Sequence, residues 1–263
     1  MNTTAKVTKY ELREVVRGRL LPAYAVFFLV ATEALVRFGG DTERALLSLV
    51  NLVLILVPLV SVLFGTLHLY AAREFNQVLL AQPVSRRQLF AGLYLGLSLP
   101  LVVAVVTGIG LPFLLRVPGG SPHLQILLPL LATAAVLTFI FVALAFQIGI
   151  RLEDRVKGIA TAFVLWLGFS VVYDGMVLVI ATAFYQYPLE KALIALMLVN
   201  PVDLGRVIVL MSFDIAALMG YTGATFERFF GSGLGVFLSS TALLVWVAVP
   251  LLFALRRFER KDF

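Results

Sequence analysis

The chain has 263 residues, of which 61% are hydrophobic and 14% charged. Soluble domains carry roughly 45–50% and about 25%, so most of this surface has lipid as its solvent. The net charge of +6 sits beside apolar runs, where membrane topology and lipid headgroups account for it; nucleic acid is not expected as a partner. With no cysteine in the sequence, disulfides, thiolate catalysis and Cys-ligated metals are excluded.

In chain order, a basic leader over residues 4–19 precedes six apolar runs at 20–36, 45–70, 89–115, 124–150, 159–185 and 234–255. Each is long enough to cross about 30 Å of hydrocarbon as a helix. Continuous apolar runs without alternation exclude a barrel, so the predicted fold is all-α, a single membrane domain with six transmembrane helices. The first run is read as a retained span, because it is longer than a signal-peptide core and carries Glu33. Within the leader, Lys6, Lys9, Arg13 and Arg17 share one arc while Leu12, Val15 and Val16 face elsewhere, which predicts an interfacial helix on the inner leaflet.

With the N-terminus inside, fifteen Lys and Arg residues fall on the cytoplasmic side and six outside. The positive-inside rule therefore places both termini in the cytoplasm. The connections at 37–44 and 116–123 read as plain turns. The cytoplasmic segment 71–88 is longer, and a short apolar ridge, Val78, Leu79 and Leu80, stands in it between polar residues; Pro83 ends that ridge and Ser85 can cap the next helix. Segment 186–233, outside, is apolar over Ala192–Val199 and is then broken by Asn200 and Pro201, with Asp203, Arg206 and Asp214 following. It is expected to remain extracytoplasmic as short surface-lying or re-entrant helices. Asp203 and Arg206 are one helical turn apart and can pair.

Two acids fall within spans: Glu33 near the outer end of the first, Asp174 near the middle of the fifth. A mid-bilayer carboxylate is costly unless it faces protein or water, which singles out Asp174. His68 and His123 have no ligand partner at helical spacing, and Met176, Met197, Met211 and Met219 read as apolar filling; no metal site is expected. The sequence has no P-loop and no nucleophile, His/Glu or Ser/His set, so no catalytic residue is assigned and any nucleotide is hydrolysed by another chain.

The run Ala81-Gln82-Pro83-Val84-Ser85-Arg86-Arg87-Gln88-Leu89 resembles the turn into the third span of ABC-2 family permeases. Where that family carries Gly-Thr after the acidic residue, this chain has Phe75-Asn76-Gln77. Residues Leu198–Val207, with Met211-Ser212-Phe213, Val171–Asp174 and Leu255–Phe258, are similar to the Nos-type branch, the membrane subunit of the transporter that matures nitrous oxide reductase. The resemblance implies a permease that binds no cofactor itself. ATP and Mg are expected on a cytoplasmic ABC ATPase partner, a second permease copy completes the membrane unit, and an extracytoplasmic protein is a candidate further partner. The expected coupling residues are Arg73, Glu74, Phe75, Asn76, Leu79, Leu80, Arg86 and Arg87 in the second loop and Glu153, Asp154 and Arg155 in the fourth. Glu33 and Asp174 are the intramembrane polar candidates, and Asn200, Pro201, Asp203 and Arg206 the extracytoplasmic ones. An alternative is a non-transporting scaffold that relays ATPase motion to an outer partner.

Overall fold

The computed structural model describes residues 3–73, 85–116, 123–187, 189–213 and 233–260. Among these the chain is helical throughout. The leader is α1 (Thr3–Arg17), and the following helices are α2 (Leu20–Phe38), α3 (Thr42–Ala71), α4 (Arg86–Arg116) and α5 (His123–Arg151). Helix α6 (Arg155–Leu167) runs through a π-helical turn, Gly168–Val172, into α7 (Tyr173–Ala183). A short pair, α8 (Glu190–Val199) and α9 (Pro201–Leu210), precedes α10 (Gly233–Arg260).

Six helices are long and apolar enough to cross a membrane: α2, α3, α4, α5, the α6–α7 run and α10. The helical fold and the six spans expected from the sequence are thus found. The core lies in α4, α5 and α3, whose most apolar windows are 67%, 61% and 50% buried, against 6% for α6–α7. Val53, Leu97, Leu137 and Phe141 fill the centre completely. In lipid the bundle gains little from hydrophobic transfer, so its cohesion rests on close packing and on satisfied polar groups. Three buried hydroxyls are satisfied within their own helices: Thr66 donates to Val62 O at 2.7 Å, Ser98 to Tyr94 O at 2.7 Å and Thr138 to Ala134 O at 2.8 Å.

The leader packs on the bundle by a different stripe from the Leu12, Val15 and Val16 face singled out in the sequence. Its buried residues are Val7, Glu11 and Val15, spaced four apart, while Leu12 and Val16 are exposed. This stripe packs on α4 because Gly92 and Gly96 leave room: a Cβ on Gly92 would stand 2.6 Å from Val7 Cγ1, and one on Gly96 would overlap the Glu11 side chain. The helix is therefore clamped to the bundle by a small-residue seat that amphipathicity alone does not disclose.

Glu11 is fully buried and its Oε2 lies 2.8 Å from His68 Nε2 on α3, while its Oε1 has no partner. A Glu11→Gln variant keeps an acceptor for His68. It is expected to melt close to the wild type, whereas Glu11→Ala, which strands the imidazole, loses about 1–3 kcal/mol. Thermal unfolding of the purified chain in detergent checks the difference.

Candidate functional site

At the α1 side of the bundle, the ends of α3, α5 and α10 meet the starts of α4 and α6. Arg73, just past α3, donates from Nη1 to Glu153 O at 3.2 Å and from Nη2 to Glu153 Oε1 at 3.2 Å. Tyr70 donates its hydroxyl to Leu152 O at 2.9 Å. Asp154 caps α6, accepting from Val156 N at 2.8 Å and Lys157 N at 3.3 Å, so Arg155 begins the helix. The two segments assigned to coupling from sequence, 80 residues apart, are thus joined at one face.

Arg86 and Arg87 open α4, where Ser85 Oγ accepts from Gln88 N at 3.4 Å as the cap expected from sequence. Arg86 donates to Glu259 O at 2.7 Å, and Arg87 forms an ion pair with the Glu259 carboxylate. The last turn of α10 is therefore tied to the exit of the second loop. Glu74, Phe75, Asn76, Leu79 and Leu80 lie outside the described residues.

A second polar cluster sits deep in the opposite half of the bundle. Helices α8 and α9 bend by 113° about Asn200. Asn200 caps α9, its Oδ1 accepting from Val202 N at 2.9 Å, and Pro201 takes the first helical position, where its missing N–H costs nothing. The Asn200 amide donates to Phe169 O at 2.9 Å and to Asp203 Oδ2 at 3.0 Å. The first of these reaches a carbonyl in the π turn, where the α-helical ladder is locally rearranged. Arg206 completes the cluster, with Nη1 3.0 Å from Asp203 Oδ1 and Nη2 2.8 Å from Asp174 Oδ2. Asp203 is 6% exposed. The Asp203–Arg206 pair has the spacing read from sequence; its third member, Asp174, is 32 residues away in the chain.

Helix α9 enters among α3, α5 and α10 and is not spread on the surface. Gly205 makes the seat: a Cβ there would lie 2.6 Å from Thr133 Cγ2. Tyr173, beside Asp174, donates to Leu196 O at 2.7 Å, and Trp246 of α10 donates to Leu198 O at 3.4 Å. Glu33 belongs to neither cluster. It pairs with Arg116 at the far end of α4, Nε to Oε2 being 3.0 Å, and with Arg37 at 3.5 Å. Among the described residues no group of three or more His, Cys, Asp or Glu is arranged to hold a metal.

A six-span helical bundle, with charged loops gathered at one face and a bent helix pair held at the other, is the arrangement of a membrane subunit. Residues 50–263 match the ABC-2 family transporter proteins, and the chain belongs to that family. It is 28% identical over 275 residues to the probable ABC transporter permease protein NosY of Pseudomonas aeruginosa, covering 97% of each chain. It is 26% identical over 279 residues to a protein of the same name from Stutzerimonas stutzeri, covering 99% of each. The protein is a multi-pass permease subunit of an ABC transporter.

Proposed function

We propose that this permease converts the closure of cytoplasmic ATPase subunits into a change of state of a membrane dimer, in the system that matures the metal site of nitrous oxide reductase. The observation that carries the coupling role is the joining of Arg73 and Glu153 at the face where the second loop leaves α3. A push on that loop is delivered to the ends of α3, α5 and α6 together, and through Glu259 to α10. The ATPase binds ATP and Mg; this chain contributes the difference in energy between states and catalyses nothing. Both termini and the coupling face are cytoplasmic in this reading, as the distribution of basic residues supports. The assignment to nitrous oxide reductase rests on the Nos-type sequence resemblance and the end-to-end similarity to the two permeases.

A second copy of the chain fits the exposed α6–α7 flank. Val171, Val172, Leu178 and Val179 are each more than half exposed there. Asp174 and Arg206 side chains are 35% and 32% exposed on the same flank. Covering them with a protein partner removes charge from lipid. The alternative, a relay that moves an outer partner without passing solute, is favoured by the filled core of the single bundle. A solute path has to run between copies or be absent.

The apolar ridge of the second loop is the expected grip for the ATPase. A double Leu79→Asp, Leu80→Asp variant is expected to reach the membrane in normal amounts but to lose the ATPase on affinity purification. Co-purification and permease-stimulated ATP hydrolysis at wild-type levels would refute the docking assignment.

A further inference from the structure

A groove of about 390 Å³ opens between α2, α3 and α4 on the leader side of the bundle, within the roughly 300–1,000 Å³ typical of ligand sites. Leu20, Tyr24 and Phe27 of α2 face Leu56, Leu63 and Leu67 of α3 across it. From Leu56 to Leu67 the groove follows α3 for roughly 16 Å, at about 1.5 Å per residue. That is close to half of the ~30 Å hydrocarbon thickness. Leu20 is the first residue of α2 and Leu67 stands in the last turn of α3, so the groove starts at the interface and ends near the bilayer midplane. Leu20 is 58% and Phe27 47% exposed, which leaves its side open to lipid. Below it Phe28 is fully buried. A transmembrane helix from another chain would need a track through both leaflets, whereas an acyl chain needs one.

The mouth carries the matching charge. Arg17, Gly18 and Arg19 immediately precede Leu20, and Arg13, Arg17 and Gly18 line an adjoining hollow with Tyr10 and Glu14. Arg13, Arg17 and Arg19 are all exposed and outnumber the single carboxylate, which favours an anionic headgroup. Tyr24 lies one helical turn inside the mouth and lines the groove.

We propose that this groove holds one acyl chain of an anionic phospholipid from the leader-side leaflet, with its phosphate bound by Arg17 and Arg19.

The test is native mass spectrometry of the purified full-length chain in detergent, with dioleoylphosphatidylglycerol or dioleoylphosphatidylcholine added in equal amounts. The wild type is expected to retain one phosphatidylglycerol per chain, at least about fivefold over phosphatidylcholine, a margin two bound guanidiniums readily supply. Leu63→Trp, which fills the groove, and Phe27→Trp, which blocks it from its exposed rim without entering the core, are expected to lose that lipid. Arg17→Gln with Arg19→Gln is expected to keep a lipid but bind the two headgroups equally. Retention of phosphatidylglycerol by either folded tryptophan variant, or equal retention of both lipids by the wild type, would overturn the proposal. So would disulfide formation between copies through Leu63→Cys, which would show a second chain in the groove.

Discussion

Replacing Arg206 with Met is expected to produce the most damaging single change in the chain. The guanidinium bridges Asp174 at 2.8 Å and Asp203 at 3.0 Å, and without it two carboxylates face each other within the bundle. Removing one partner of a buried ion pair typically costs about 3–5 kcal/mol. The partial exposure of Arg206 and Asp174 moves the expectation to the lower end, near 3 kcal/mol if that surface is covered in the assembly. Adding Asp174→Asn and Asp203→Asn to Arg206→Met removes both stranded charges and is expected to recover much of the folded yield without recovering function. Detergent-resistant monodisperse protein and ATP-driven activity of the complex, measured side by side, separate the two effects. An Arg206→Met chain as stable and active as the wild type would show that the cluster is only adjacent polar surface.

The second large effect is expected from Gly205→Leu. The added Cβ would meet Thr133 Cγ2 at 2.6 Å, with Leu54 Cδ2 at 3.5 Å and Leu137 Cδ1 at 3.6 Å behind it. All three neighbours belong to the tightly packed α3 and α5, so relief has to come from α9 moving outward. Overpacking of this kind costs about 1–3 kcal/mol or more. The displacement should also part Arg206 from Asp174. A cysteine placed at Asp203, which is buried in the wild-type arrangement, should become reactive towards a membrane-permeant maleimide only in the Gly205→Leu background. Unchanged labelling would mean that α9 is free to yield without leaving its seat.

These two sites also show where sequence reading succeeds and where it stops. Apolar runs of 17 or more residues are set by bilayer thickness, so the spans are legible from composition. The i, i+3 relation of Asp203 and Arg206 and the helix break at Asn200-Pro201 are local, and local spacing exposes them; that Asn200 caps the helix after the break comes from the structure. Asp174 is conspicuous because a carboxylate in an apolar run is costly, but its partner is not, since nothing in the 31 residues between them encodes which basic group returns to it. The same holds for Glu11 with His68 and for Arg73 with Glu153, 57 and 80 residues apart. Taken alone, His68 has no helical-spacing partner, and only the leader's seat on Gly92 and Gly96 brings one. The stretch Gly-Phe-Ser-Val-Val has no proline or charge to mark it as other than ordinary helix.

That turn, Gly168–Val172, resets the angular phase of the fifth span. A π turn accommodates one residue more than the α-helix on either side of it, and one residue is worth about 100° of rotation about the axis. The faces of α6 and α7 consequently cease to be continuations of each other: α6 gives its inner face to α3, whereas α7 meets α8. A single straight helix has to present one stripe to one set of neighbours along its whole length. Here the two halves of a span are indexed independently, so the loop-facing half can turn with α3 while the half bearing Asp174 stays in register with Arg206. Rewinding the same five residues as regular α-helix would swing Asp174 about 100° away from its guanidinium, whereas deleting one residue from the turn would restore regular winding and leave Asp174 in register.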